Sequence, residues 1–600
     1  MTTNYRSARR LSSISGLFTA FLLLRGLAVA QTTPSPENDR LVQTAKVWIT
    51  VKYFHPYLAY KQIDWDKALI DALPKIRAAN SSQAYATALQ SMLDRLHDPA
   101  TRVLTTNDGD HDAMSNSTAS RMWIHNGFPP ETGPDSGTFY SAFVARPAST
   151  PMPVIRIPLS DGIRVQVSLA EAVASDLPPI VKPDSYPGAR YPSTEYRILA
   201  AYKIWGVIHH FFAYRDLMDE DWDDLFAQFL PRFVAAKDAR EYNLTVADLL
   251  SHTLDSHVAV SSAELSDYFG PATVGIRLRL IEKKPVITDI LDDNAKSAGL
   301  EIGDIVGKVD GASVPDRFNR IQDYVSGSTA QRRGYDSLQL VLNGPDKSTA
   351  TLLVSSGDGP AKEVKVQRTL TFANAQPARS GESIRTLPGD IGYVDLIRLP
   401  DDQLPAIFEK LKDTKAIVFD ARGPVSPAAL QIASHLTSAN DAAGSIITGP
   451  VTFSPDVATT RSLTSTASYF FVEKIPDGIE PKYTGKTVML IDERTIGPAE
   501  HLGLWLEAAN NTGFVGTPSA GADGETTNFV VPGGITITFS GQDIRHGNAG
   551  KLQRLGLQPA VLAVPTISGL QQGRDEVLEK AVEYLSPGAS SRLRASIVLQ

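Results

Sequence analysis

Two stretches of the chain carry apolar residues at intervals of three and four: Val47, Val51 and Phe54 in the first, Ile204, Ile208 and Phe211 in the second. That spacing gathers them on one face of a helix. The stretches correspond without gaps at an offset of 157 residues, the separation of Trp205 from Trp48. The same offset pairs Lys46 with Lys203, Tyr57 with Tyr214, Asp64-Trp65-Asp66 with Asp221-Trp222-Asp223 and Leu73-Pro74 with Leu230-Pro231. It also pairs Tyr85 with Tyr242, Leu93 with Leu250 and Asp98 with Asp255. So many shared aromatic and proline positions predict a duplicated helical region, 38–105 and 196–265. Each copy reads as one helix, a break at Asp-Trp-Asp, a second helix ending near the proline, and a third running into Leu93 or Leu250. The segment between them, 106–195, is rich in Pro and Ser. Its alternating runs Val154–Ile157 and Ile163–Val167 predict a small β insertion.

From Tyr268 the period shortens to two. Val274–Leu278 and Val286–Ile290 read as strands, and Asn294–Leu300 as a short helix closed by Gly299. Val309-Asp310-Gly311 is a hairpin turn signal, and Leu338–Leu342, Thr349–Val354 and Val364–Arg368 extend the β reading. The order, and the run Ala298-Gly299-Leu300-x-x-Gly303-Asp304, resemble a PDZ domain, here 266–375. The resemblance implies capture of a peptide C-terminus by the backbone of Thr273, Val274, Gly275, Ile276 and Arg277 and the adjoining strand edge.

After a polar linker, strands alternate with helices over 383–590. Ile391–Leu396, Ala416–Asp420 and Val488–Asp492 are strand runs; Leu404–Leu411 and Ala499–Ala509 are helical. This alternation predicts an α/β core.

Composition adds limits. With 600 residues, 42% hydrophobic and 21% charged, the chain can build several cores, and the architecture expected is multidomain. A net charge of -8 gives no basic face for nucleic acid. No cysteine is present, so disulfides and thiol catalysis are excluded. Arg6, Arg9 and Arg10, an apolar run Ile14–Leu24 and the small-x-small Ala28-Val29-Ala30 predict a signal peptide over 1–30 and export to the periplasm or beyond. Neither His-Glu-x-x-His nor a Gly-rich phosphate loop occurs, and no cofactor is expected.

The C-terminal layout is more specific. Asp420-x-Arg422-Gly423, then Thr495-x-x-x-Ala499-Glu500 leading into a helix, then Val515-Gly516-x-x-x-x-Gly521 and Leu557-x-Pro559 resemble the tail-specific, C-terminal-processing serine peptidases. With the helical region and PDZ-like module in family order, the resemblance covers about Tyr202 to Leu585 and implies a ClpP/crotonase-like peptidase core. Family members carry the nucleophilic serine three residues before that glutamate. Here the position is Gly497.

The resemblance implies further roles. Gly423 and Pro498 would be the oxyanion donors, but proline has no N–H. A Ser–Lys branch would need lysine at Ala522, so the likeness is to the branch of the tricorn protease core. There the base comes from the helical domain, and Asp255-Ser256-His257 matches that Ser-His pair; the first copy has Asp98-Pro99-Ala100 instead. The acidic residue that orients the base falls on Gln553, which is neutral. Three readings stay open. The chain is a pseudopeptidase that binds peptides or protein C-termini, or a hydrolase using another hydroxyl such as Thr495 or Ser519 with His257, or a structural envelope-associated protein assembled through its repeats. His501 reads as a surface histidine.

Overall fold

A computed structural model describes residues 35–105, 121–128, 139–145, 154–169, 184–357, 359–371, 381–399, 403–436, 442–452 and 466–586. The targeting segment 1–30 lies outside these residues. Among the described residues, no helix is long and apolar enough to cross a membrane.

The N-terminal part is built from helices at matching positions. Pro36–Phe54 is matched by Thr194–Phe211, Trp65–Ala78 by Trp222–Ala235, and Ser82–Leu93 by Ala239–Ser251. An aspartate caps the second helix in each set, Asp64 and Asp221, as its side chain accepts N–H bonds of the first turn. Trp65 Nε1 donates to the carbonyl of Trp48 at 3.0 Å, and Trp222 Nε1 to that of Trp205 at 3.0 Å. His97 and Leu254 both take left-handed backbone, with φ of 55° and 54°. The first helices pack on each other through equivalent positions. Phe54 and Phe211 stack, and Ile49 fills the space over Gly206, where a Cβ would come within 2.0 Å of Ile49 Cγ1. Glycine at 206 is what permits that approach.

The insertion supplies β structure as expected. Val154–Pro158 and Arg164–Ser168 pair antiparallel, Ile155 opposite Val167, and Arg102–Leu104 adds a third strand. Arg121–Gly127 and Tyr140–Ala145 pair with each other, and His125 bridges to Thr452 in the strand Ala443–Thr452. The insertion thereby extends a sheet of the C-terminal part.

The middle unit holds the sheet Lys362–Gln367, Thr349–Ser356, Asp304–Val309, Lys284–Ile290, Ile276–Ile281, in that order. Asp310 and Gly311, both at positive φ, make the expected hairpin turn. One expectation is corrected: Leu338–Leu342 is not a strand. It ends the helix Ala330–Leu340, capped by Thr329, whose side chain accepts the Arg332 N–H. Tyr335, Leu338 and Leu342 are spaced three and four apart and are buried, so the helical period governs. A short apolar run viewed alone does not separate the two periods.

The C-terminal part centres on a parallel sheet, Ile391–Asp395, Ala416–Asp420, Lys486–Ile491, Gly513–Gly516 and Val561–Leu562, with Ile384–Leu387 antiparallel at one edge. Side chains alternate across it. Ile417, Phe419, Met489 and Ile491 join one core with the helices Leu404–Leu411 and Pro498–Asn510. Ala416, Val418, Val488 and Leu490 join another beneath the helix Glu576–Leu585. The hairpin Thr526–Val531 and Ile535–Ser540 leaves this sheet, and its Phe529, Val531, Ile535, Ile537 and Phe539 complete the core of the helical part. The two parts therefore share a core, and the hairpin carries C-terminal residues to the second helical set.

Candidate active site

The turn at Gly497 joins the strand Lys486–Ile491 to the helix Pro498–Asn510 at the C-terminal end of the parallel sheet, where open α/β sheets place their ligands. Gly497 caps that helix with φ 54° and ψ -118°. An L side chain is strained in this conformation, and glycine is not. The Gly497 N–H donates to the Ala522 carbonyl at 2.9 Å, and its own carbonyl accepts the His501 N–H at 2.9 Å. A Cβ built on Gly497 would lie 3.7 Å from Nε2 of His257 and would meet no other residue within 4 Å apart from its chain neighbours. The structure brings these two sequence-predicted positions face to face.

His257 is aimed by two groups. Its N–H donates to Asp255 Oδ1 at 3.1 Å, and its ring Nδ1 lies 3.0 Å from Ser540 Oγ. Asp255 is fully buried and also accepts the Ser540 N–H on Oδ2 at 3.1 Å. One carboxylate thus fixes both the histidine and the hydroxyl that holds its ring. Pairing of Thr538 with Ala259 brings Ser540 to this place. At Asp98, 157 residues earlier, the same local turn is put to another use. Asp98 Oδ1 accepts the Ala100 N–H at 3.0 Å, while its other oxygen binds His55 Nε2 at 3.0 Å and Thr101 Oγ1 at 2.7 Å. At the positions 157 residues after His55 and Thr101 stand Phe212 and Val258, which leaves Asp255 able to reach Ser540.

Gln553, expected to orient the ring, does not touch it. Its Nε2 donates to Asp255 Oδ1 at 3.3 Å and to Ser328 Oγ at 3.1 Å, and its Oε1 is buried without a donor among the described residues. It supports Asp255, and Ser540 holds the ring. A hydroxyl donates or accepts, so Ser540 does not impose one tautomer, and it brings no negative charge to stabilise an imidazolium. When Nδ1–H donates to Ser540, Nε2 presents its lone pair toward Gly497.

The other hydroxyls are committed elsewhere. Ser256 and Ser328 exchange bonds, each N–H donating to the other's Oγ at 2.8 Å. Thr495 is buried; its Oγ1 donates to the Ala421 carbonyl at 2.9 Å and accepts the Asp492 N–H at 3.1 Å. Ser519 is buried, donates to Glu500 Oε1 and accepts the Leu557 N–H at 2.7 Å. Glu500 also accepts the N–H groups of Gly521 and Ala522, at 2.8 and 2.9 Å. Burial pushes its carboxyl up to about 8, against the Ser519 hydrogen bond that favours the ion. His501 is no surface histidine. It lies between Asp523 Oδ2 at 2.8 Å and Glu473 Oε2 at 2.7 Å; burial opposes its charge, but the two carboxylates lift it to about 10.

Gly423 follows the strand Ala416–Asp420, which runs parallel beside Lys486–Ile491. Its turn is anchored by the Thr495–Ala421 bond and by Arg422, which grips Asp420 and Asp575. Gly423 therefore leaves the sheet at the same end as Gly497. On the other side of an oxyanion, Pro498 has no N–H and the Gly497 N–H is spent on Ala522. Among the described residues, no group of three or more His, Cys, Asp or Glu side chains is arranged to hold a metal ion.

In Thr273–Arg277, expected to hold a peptide C-terminus, two N–H groups are already bonded. Thr273 N–H donates to Leu370 at 2.8 Å, and Ile276 N–H to Val274 at 2.8 Å. Val274 is buried, Asp292 fills the space beside Gly275, and Arg277 lies 3.4 Å from Tyr335 OH. The adjoining strand edge is also taken: Gln339 accepts the Leu278 N–H at 3.3 Å and donates to its carbonyl at 2.7 Å. This unit grips the Gly497 turn instead. Buried Arg279 forms a fork on Glu493 at 2.7 and 2.8 Å and lies 3.3 Å from Asp492.

Asp255 lay within the recognised Asp-Ser-His run, but its role as hub was not evident. Ser540 carried no signal beyond ending an alternating strand.

No protein-family model matches the chain, and no curated protein matches it in sequence. Solved structures do. Mature CPAF complexed with lactacystin matches with a TM-score of 0.51 at 15% identity, over 65% of this chain and 99% of that one. The photosystem II D1 C-terminal processing protease matches over 63% of this chain and 97% of its own, at 17% identity and TM-score 0.37. Tricorn protease matches over 76% of this chain and 40% of its own, at 12% identity and TM-score 0.33. The chain has the mixed α/β, multidomain fold of the tail-specific, C-terminal-processing serine peptidases. At these identities the likeness is one of fold.

Proposed function

We propose that this is an exported protein on a tail-specific serine peptidase scaffold that binds peptides or unfolded protein C-termini and has weak or absent proteolysis. One observation carries the reading: His257 Nε2 faces the Gly497 turn, and no hydroxyl stands between them. Removal of the nucleophile from such a site leaves a small fraction of catalysis, from binding and oxyanion stabilisation. The oxyanion side is weakened as well, because Pro498 donates nothing. An active hydrolase working through Thr495 or Ser519 is disfavoured, since both hydroxyls are buried and bonded at both ends.

Export rests on the residue pattern of 1–30. The domain reading is helical copies over 38–105 and 196–265, the insertion 106–195, a PDZ-like unit over 266–375 and the peptidase core over 383–590. The paired tryptophan bonds and capping aspartates support the duplication. With the Thr273 and Ile276 N–H groups already bonded, the expected peptide contact moves from the PDZ-like loop toward the turn that His257 and Gly497 share. Assembly through the repeats, the purely structural reading, has no specific contact in its favour. The test is hydrolysis and binding of unstructured peptides by the full chain. Binding without cleavage is expected; cleavage abolished by His257→Ala overturns the reading.

A further inference from the structure

The proposed lack of a nucleophile leaves a base that faces a residue with no side chain. A Cβ at 497 would lie 3.7 Å from His257 Nε2 and meet nothing else beyond its chain neighbours, so no side chain stands between the imidazole and the Gly497 turn. Nδ1 is held at 3.0 Å by Ser540, and the histidine backbone by Asp255, so the ring is oriented before any ligand arrives. His257 is half-buried, so part of its surface is open to solvent. The serine oxygen is absent from this arrangement, and water can supply an oxygen.

We propose that His257 acts as general base for direct attack of water on activated acyl esters at the Gly497 turn, with no acyl-enzyme. The inference rests on the reading that position 497 lacks the nucleophile. The water oxygen bonds to the acyl carbon as its proton passes to His257 Nε2. The tetrahedral intermediate then breaks its bond to the leaving oxygen and expels a phenolate. The imidazolium gives its proton to the phenolate or to solvent, and the carboxylic acid ionises. Nothing is oxidised or reduced, and water is the co-reactant. Substrate choice follows from the missing donor at Pro498, which has no N–H and which the Gly497 N–H, bound to Ala522, does not replace. Loss of one oxyanion donor costs about 10²–10³ in kcat. Esters with acidic leaving groups tolerate that loss, because their intermediates collapse readily. Amides, which need a protonated leaving amine and a well-held oxyanion, do not. The activity is thus an esterase activity separate from peptide cleavage.

The test uses the full chain with p-nitrophenyl acetate and an unstructured fluorogenic peptide in parallel. Steady-state rates, pre-steady-state traces and intact mass after acid quench are compared for wild type and His257→Gln. The expected result is ester hydrolysis that starts without a burst, leaves no acyl adduct, slows in D₂O, and falls about 10²-fold or more in His257→Gln. Equal rates in the variant, an absent solvent isotope effect, or an acyl adduct on any hydroxyl overturns the inference. The isotope effect and adduct search are read on wild type, so they decide even if the variant misfolds. No ester turnover with no peptide cleavage sinks this inference alone. Peptide cleavage through a trapped acyl-enzyme sinks the reading beneath it.

Discussion

Gly497→Ser is the perturbation whose effects can be worked furthest from the structure. A Cβ there meets His257 Nε2 at 3.7 Å, an ordinary contact, so no clash opposes the new side chain. The cost comes from the backbone, since φ 54° and ψ -118° suit glycine and strain other residues by about 1–3 kcal/mol. At about 2–4 °C per kcal/mol for a unit of 150–250 residues, the melting temperature should drop by about 2–12 °C. Gly497→Ala should drop equally, which isolates the strain from the hydroxyl. In one rotamer the serine oxygen comes within hydrogen-bond reach of Nε2. General-base assistance is worth about 10²–10⁴, so Gly497→Ser should cleave an unstructured fluorogenic peptide faster than Gly497→Ser/His257→Ala by that factor. Gly497→Ala should show no such gain. Adding Pro498→Gln restores an N–H and should raise the rate further. The reasoning is refuted if neither substitution lowers the melting temperature, or if the activity of Gly497→Ser survives loss of His257.

Other changes test the supports of the site. Ser540→Ala frees Nδ1; in the Gly497→Ser background it should cut kcat about 3–10-fold, from one hydrogen bond of about 0.5–1.5 kcal/mol, with a shifted pH–rate profile as the readout. Asp255→Ala strands the N–H groups of His257 and Ser540 and should cost about 3 kcal/mol or more in a denaturant titration. Arg279→Ala leaves partly buried Glu493 without its arginine, while Asp492 keeps Arg494, and should cost about 3 kcal/mol, seen as earlier loosening of the 492–497 turn in hydrogen exchange. Glu500 titrates from about 4.5 when unfolded to about 8 when folded, so its proton stabilises the fold fully below about 4.5. That contribution is lost as pH rises to about 8, and Glu500→Gln should flatten the decline in stability over the same range.

The succession of helical, β and alternating α/β stretches was legible because each carries a local period or a spaced motif. The offset between Trp48 and Trp205 shows in helices with matching ends, and Asp420-x-Arg422-Gly423 and Thr495–Glu500 sit at the ends of adjacent parallel strands. His257 opposite Gly497 was legible too, through an aligned Asp-Ser-His run. The residues that hold the ring were not. Ser540 approaches it through a hairpin whose pairing with Ala259–Ser261 is long-range, and no local pattern reports such a contact. Gln553 was assigned by position along a motif, yet its amide stops at Asp255. The PDZ-like loop was read from its glycine and apolar residues, and what closes it is a side chain 61 residues away, Gln339 on Leu278. Leu338–Leu342 was misread because five apolar and polar positions suit either period until Tyr335 is included.

The absence of cysteine from the chain gives the most direct measurement of the central claim. Gly497→Cys places a single thiol where the serine should be, and its alkylation rate against pH gives its pKa. A thiol beside an imidazole is held well below the ordinary value of about 8.5. The account predicts rapid alkylation near pH 6 that reverts toward the ordinary profile in Gly497→Cys/His257→Ala. A thiol that titrates the same with and without His257 would show that the imidazole does not face residue 497.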